Sequence, residues 1–461
     1  MSATHRGDGP RRPEALRVLT PETEYGQRVA YTYMTGVFLA VNALRDAYLL
    51  VEGPDCVHMK TQFVQGNHDW LSTITSVSGY HRVANTALHP VHMTRSREER
   101  IRELLGRLAK HPATGGILFT SMPMAFITGA DYERLCSEAA QLSGTSVVHI
   151  PGKSLSGDWL DGYAESLLSL ARQLPLPTPA GALDPRKVAI IGHLYDRNEG
   201  DQRANVAHLR ELLVALGLEP VSVWLEGQDF ADFAAVGSAG TVLSFPYARK
   251  AARALAERTG ARLIVCDLPF GLDATERWIT QLGEELGLQE RAREVIEREL
   301  EHVVPQLEWV IPFVFQGRRL AFVGDPHLAQ GLAEIATMLG AELTHVAITD
   351  PALHARGLAE KLGPSKQLLV WPKQQALRDF LNQAVASERV SLVVTNLHGV
   401  GVGGGAAAWV ELGFPSLYTH ALYDRPYLGF RGFLAFVDTL ANTVRRHEVT
   451  RVLAAAERAS S

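Results

Sequence analysis

Short apolar runs alternate along the chain with longer stretches in which apolar residues recur at helical spacing. The runs Ala47–Val51, Gly116–Thr120, Thr145–Ile150, Lys187–Ile191, Pro220–Trp224 and Thr241–Ser244 read as strands. So do Arg262–Cys266, Arg319–Val323, Thr344–Ile348, Gln367–Trp371, Ser391–Thr395 and Pro415–Thr419. They are rich in Val, Ile and Leu and lack strict alternation, the pattern of parallel strands buried on both faces. Between them, amphipathic stretches such as Ala204–Leu216 and Tyr247–Thr259 predict helices. Strand–helix–strand repetition of this kind builds doubly wound parallel sheets.

Two breaks interrupt the rhythm. Pro175, Pro177 and Pro179, followed by Asp184-Pro185, make a stiff, helix-hostile linker. The second break lies between Pro312 and Arg318. After each break the chain reopens in the same way, as "KVAIIGHLYDRNEG…" and "RRLAFVGDPHLAQG…", each reading strand, polar turn, helix, strand. The pattern predicts an α/β protein of three Rossmann-like domains with parallel sheets, spanning 25–180, 186–312 and 318–445. Residues 1–24, with Arg6, Arg11, Arg12 and Arg17 among prolines, read as a mobile tail rather than a signal peptide. Residues 446–461 read as a C-terminal helix or tail.

Composition narrows the classes. The 461 residues carry 45 basic and 50 acidic side chains, a net charge of −5, which argues against a general nucleic-acid surface. No apolar run is long enough to span a membrane. The three cysteines, Cys56, Cys136 and Cys266, are too few for a disulfide framework, and the chain reads as cytoplasmic. No Ser/His/Asp order, Walker loop or HExxH motif is present, which leaves P-loop NTPase and hydrolase readings without support.

The densest candidate chemistry follows the first strand, in "LVEGPDCVHMKTQFVQGNHDW". Glu52, Asp55, Cys56, His58, His68 and Asp69 gather at a strand's carboxyl end, where open α/β sheets place ligands. Two readings stand: a ligand-holding segment, or a packed thiol among surface and capping histidines. In "TNLHGVGVGGGAAAWVELG", Gly399, Gly401 and Gly404 fit GxGxxG and a helix is expected after them. The next strand ends at His420 rather than at an acid that would hold a ribose, so close backbone approach is the better use of these glycines. Cys136, in a helix one turn after Tyr132, and Cys266, ending a strand, read as packing residues.

A set of segments in fixed order resembles the nitrogenase component 1 family, which includes the molybdenum–iron protein subunits, their cofactor-assembly scaffolds and the dark-operative protochlorophyllide reductases. "EGPDC" looks like the family's first cluster-cysteine segment and "LFTSMPMAFITGADYE" like its Ser-x-Cys-Pro segment. "VVHIPGKSLSGDWLDGY", "LPFGLDATERWI", "AFVGDPHLAQGLA" and "YDRPYLGFRGFLAFVDTLANTV" resemble later family segments, so that the likeness runs from about Tyr31 to Val444. It implies three Rossmann-like domains around a central cleft.

The departures shape the functional expectation. Cys56 falls on the first cluster cysteine, but Met122 falls on the third. Between Tyr80 and His92, where the second belongs, only His81, His89 and His92 offer ligands. Ser244 stands where a true nitrogenase uses cysteine to hold its cofactor, and His420 lies one residue from the other cofactor ligand, which argues against dinitrogen reduction. The resemblance therefore implies a subunit of a nitrogenase-like reductase. A 4Fe–4S cluster would be shared with a homologous subunit, this chain giving Cys56 or Asp55, with His58 and Met122 alongside. Electrons would come from an iron-protein-like, ATP-dependent reductase and pass to a conjugated small molecule such as a tetrapyrrole, with His193, Asp196 and His420 supplying protons. Two alternatives stay open: a non-catalytic scaffold for metallocluster assembly, and a degenerate structural partner subunit.

Overall fold

The structure, a computed structural model, describes residues 18–19, 30–74, 81–177, 181–364 and 366–460. Most of the expected tail, position Tyr80 and the Thr178–Pro179 part of the first linker lie outside the described residues.

In chain order the strands are β1 (Val18–Leu19), β2 (Ala47–Glu52), β3 (Val83–Asn85), β4 (Gly116–Ser121) and β5 (Ser146–His149). Then come β6 (Lys187–Ile191), β7 (Glu219–Val223), β8 (Thr241–Ser244) and β9 (Arg262–Val265). Last are β10 (Arg319–Gly324), β11 (Glu342–Ile348), β12 (Gln367–Val370), β13 (Val390–Thr395) and β14 (Ala408–Glu411). The helices that matter below are α1 (Tyr33–Asn42), α2 (Cys56–Val64), α3 (Glu98–Ala109), α4 (Tyr132–Ser143), α5 (Trp159–Gln173), α6 (Gly200–Ala215) and α7 (Arg249–Thr259).

The strands form three parallel sheets, in the orders β3-β2-β4-β5, β7-β6-β8-β9 and β1-β12-β11-β10-β13-β14. The α/β architecture with parallel sheets is thus as the hydrophobic pattern predicts. β2 and β4 are buried along their whole lengths, which explains why their sequences do not alternate. Leu50, Ile117 and Phe119 pack with Ile101 and Leu105 of α3 and with Leu135 and Cys136 of α4. Each sheet reverses its strand order in its interior: between β2 and β4, between β6 and β8, and between β10 and β13. Loops leaving the carboxyl ends of such strand pairs diverge and open a crevice.

Three details depart from the sequence reading. Val18–Leu19, inside the segment read as a tail, pairs with Leu368–Leu369 as an edge strand. The glycine loop leads into a strand, β14, and not into a helix. Gly401, Gly403, Gly404 and Gly405 all have φ between 57° and 87°, a left-handed run from which a right-handed helix cannot start. Pro415–Thr419 is not a strand either. Its backbone is engaged by side chains, with Ser416 N–H donating to His68 Nδ1 and the Thr419 carbonyl accepting from Arg197.

The chain divides into two compact units. The larger comprises Tyr31–Glu308 and Phe414–Leu440 and holds the first two sheets; the smaller contains Trp309–Gly413 and Ala441–Ser461 and holds the third. The first two sheets share a unit because α5 packs against both α1 and α7. Tyr163 on α5 donates its hydroxyl to the His193 carbonyl and accepts from Tyr195 N–H, which pins the loop after β6. The α1–α5 approach depends on glycine. A Cβ on Gly36 would lie 1.9 Å from the Trp159 carbonyl oxygen, and one on Gly162 would lie 2.0 Å from that of Tyr33. We expect Gly162→Ala to cost about 1–3 kcal/mol through forced separation of the helices, read as a lower Tm. Gly106→Ala, on an open face of α3 with nothing within 4 Å, should leave Tm unchanged or raise it slightly.

Candidate functional site

The first crevice lies at the switch between β2 and β4. Parallel pairing sets Glu52 opposite Ser121 at the two strand ends, and Met122 N–H donates to the Glu52 carbonyl at 2.9 Å. Gly53 follows; a Cβ there would sit 2.9 Å from both Cγ and Sδ of Met122. Glycine therefore lets the Met122 side chain lie across the backbone that leads to Cys56. Gly53 is tied on its other side, its carbonyl accepting from Leu88 N–H and its N–H donating to Thr86 Oγ1.

Cys56 opens α2, preceded by Asp55, and both are exposed. This removes the packed-thiol reading for Cys56. His58, two residues on, is half-buried and its ring lies 5.9 Å from that of His81. Met59 on the same helix is 73% exposed, and Phe126 and Ile127, in the segment that follows β4, are 53% and 72% exposed. At the strand ends, Glu52 Oε2, Thr120 Oγ1 and Ser121 Oγ are buried without a hydrogen-bond partner; Glu52 Oε1 lies 3.4 Å from Arg97 Nε.

The chain's donors do not complete a four-iron cluster, which takes four cysteine ligands. Among the described residues, no third Cys, His or acidic side chain joins Cys56 in a ready-made three-ligand group. Cys136 and Cys266 are buried, and burial raises both thiols, Cys266 to about 12. Both behave as the packing residues expected. One exposed thiol fits one corner of a shared cluster and no more.

The second centre lies in the larger unit, where the loop after β6 meets residues 68–71 and 416–427. Asp69 Oδ2 accepts from Asn42 Nδ2, Asn198 N–H and Asn198 Nδ2 at 2.7–3.0 Å, and its Oδ1 accepts from Leu71 N–H. His68 Nε2 faces Asp196 Oδ2 at 3.4 Å, and Gln202 Nε2 donates to Asp196 Oδ1. Burial pushes the Asp196 carboxyl up, but the facing His68 and the positive charge of Arg197 outweigh it and hold it below its ordinary value. Arg197 grips Asp201 through Nε and Nη2.

Glu199, wholly buried just before α6, does not cap its own helix. Its Oε1 accepts from Trp70 N–H at 3.0 Å and from His420 Nδ1 at 2.7 Å, and its Oε2 accepts from Ala421 N–H at 2.7 Å. Burial raises its carboxyl, yet Arg197 and these donors win and lower it. The His420 ring stacks on Trp70, centroids 3.7 Å apart.

Two of the expected proton donors, Asp196 and His420, thus share one network. His193 does not enter it: it is 1% exposed, and burial lowers its pKa to about 4 against a smaller upward pull from the Leu225 backbone. Ser244, at the end of β8, is buried with its hydroxyl unpartnered. Glu199, Arg197, Gln202 and Trp70 were not singled out from the sequence. The available signal was a Glu at a helix start, where Ser, Thr, Asp or Asn would cap better.

His193 makes acid sensitivity testable. It is neutral when folded with a pKa of about 4 and titrates near 6.5 when unfolded. Its stabilising contribution is complete above pH 6.5 and is lost as pH falls toward 4, by about 3 kcal/mol. Denaturant unfolding at pH 7 and pH 4.5 should show this loss, and His193→Gln should lessen it.

Comparison with known proteins agrees with this fold. The sequence profile of the nitrogenase component 1 type oxidoreductases matches residues 32–445. The light-independent protochlorophyllide reductase subunit N of Rhodopseudomonas palustris (strain TIE-1) is 23% identical over 344 residues, 74% of this chain and 76% of that protein. The nitrogenase molybdenum-iron protein beta chain of Frankia alni is 25% identical over 211 residues, 45% of this chain and 39% of that one. Among solved structures, nitrogenase Cp1 at pH 6.5 superposes with a TM-score of 0.75 at 16% identity, covering 93% of this chain and 95% of its own. A profile match over most of the chain, joined to three parallel sheets in the expected order, shows that this protein belongs to the nitrogenase component 1 type oxidoreductase family.

Proposed function

We propose that this chain is one subunit of a nitrogenase-like reductase that pairs with a homologous subunit. The observation that carries the reading is Cys56: an exposed thiol that opens the helix after β2, at the switch point of the first sheet, with exposed Met59 on the same helix and exposed Phe126 and Ile127 in the segment after β4. Exposed large apolar residues on the segments that leave these two central strands favour burial by a partner chain. Cys56 would give one ligand to an iron–sulfur cluster, with Asp55 and His58 beside it, and the partner would give the rest. Such a cluster supplies one-electron transfer when bound. An ATP-dependent iron–sulfur reductase is the fitting electron source, because this chain has no nucleotide motif of its own.

The likeness to protochlorophyllide reductase subunit N supports a conjugated molecule of the tetrapyrrole kind as substrate. On this chain, proton handling falls to the His68–Asp196 pair and to His420, whose ring nitrogens face oxygen atoms. His193 keeps a structural role, neutral in the core. A second reading, a partner subunit that holds no cluster, draws on the thioether of Met122 standing where the resemblance implies a thiolate.

The test is anaerobic purification with the homologous subunit, followed by iron analysis and electron paramagnetic resonance. Cys56→Ser should lower iron per complex or shift the cluster's spectrum, with Tm little changed because the thiol is exposed. Unchanged iron and spectrum in the variant complex would overturn the ligand assignment. Iron missing from the wild-type complex would leave the second reading standing.

A further inference from the structure

Trp70 is 55% exposed, yet its position is fixed from two sides. Its backbone N–H donates to buried Glu199. One face of its indole stacks on His420, with ring planes inclined by only 17°. His420 is itself held, its Nδ1 on Glu199 Oε1 and its Nε2 3.3 Å from the Leu417 carbonyl oxygen. The two rings therefore form a short parallel stack whose outer indole face is the exposed one. Leu71, Tyr418, Leu422 and Tyr423, all within three positions of one of the two rings, are exposed large apolar residues.

The chemistry of this patch favours one kind of occupant. A cation seated on an indole is best stabilised where a carboxylate can help offset its lost hydration. Here the carboxylate behind the stack, Glu199, is already paired with a cation, Arg197 Nη1 lying 3.5 Å from its Oε2. Both oxygens of Glu199 and both of Asp69 accept hydrogen bonds from within the protein. What remains is the exposed flat π-surface of the indole, suited to a third flat ring in the stack.

We infer that the outer face of Trp70, backed by His420 and Glu199, is a stacking platform for a flat, conjugated ring. The inference rests on the proposed reductase reading and gives its substrate class a place on this chain. Trp70 is then the binding residue, its backbone held by Glu199.

The test is titration of the full chain with coproporphyrin III, followed by the porphyrin's Soret band and fluorescence. We expect saturable binding that Trp70→Ala weakens about tenfold or more and that Trp70→Phe, which keeps a flat ring, weakens less. Trp70→Ala keeps the backbone bond to Glu199, and circular dichroism checks that it folds. Trp309→Ala, removing an exposed indole in the smaller unit, should leave binding unchanged. Wild-type-like binding by Trp70→Ala overturns the platform, as does equal weakening by Trp309→Ala or absence of binding to the wild type. The reductase reading is scored separately, by iron in the two-subunit complex. Porphyrin bound equally by wild type and Trp70→Ala, in a chain whose complex holds iron, removes the platform alone. Trp70-dependent binding in a chain whose complex holds no iron upholds the platform and removes the reductase.

Discussion

A carboxylate with no exposed surface, Glu199, organises the polar centre of the larger unit. It joins three segments far apart in sequence: the loop after β6, the turn at Trp70 and the stretch at His420–Ala421. A buried charge is tolerated only when its oxygens are satisfied, and removing one partner of a buried pair typically costs about 3–5 kcal/mol. Each of the three segments is thus held by the same requirement. Asp69 repeats the logic one residue from Trp70, binding Asn42 at the end of α1 and Asn198 beside Glu199. The exposed indole of Trp70 stands on this network, as does the ordered path of residues 416–421.

The first crevice is built by different means. There the backbone does the positioning: β2 and β4 pair in register to Glu52 and Ser121, and Gly53 lets the Met122 side chain cross close to the chain. Cys56 emerges on α2 four residues after the strand ends, so its place is set by a short loop. Cys56 is exposed there, whereas Asp196 and Glu199 are buried within a hydrogen-bonded network.

Family membership and chemistry come apart in this protein. The α/β fold is shared with nitrogenase Cp1, while Met122 and Ser244 stand where the sequence resemblance implies thiolates, and neither a thioether nor a hydroxyl binds iron as a thiolate does. A fold tolerates such exchanges because parallel strands are held by backbone pairing and apolar burial, neither of which depends on the residues at the strand tips.

The sequence by itself determined the α/β class, the parallel sheets and nearly every central strand, because burial on both faces leaves runs such as Val188–Ile191 and Leu392–Val394 that no amphipathic helix would show. It also marked the loops after β2 and β6 as places where chemistry gathers. It misread residues 405–419, since a glycine run followed by Ala and Trp fits a helix until the left-handed backbone of Gly401–Gly405 is known, and since Pro415–Thr419 is apolar enough for a strand. Only the tertiary structure decided that Cys56 is exposed while Cys136 and Cys266 are buried, that His193 is sealed in the core, and that Glu199 gathers Trp70 and His420. Burial and long-range hydrogen bonds depend on which segments meet in space, and His420 lies 221 positions from the carboxylate that holds it. Local periodicity carries no record of that encounter.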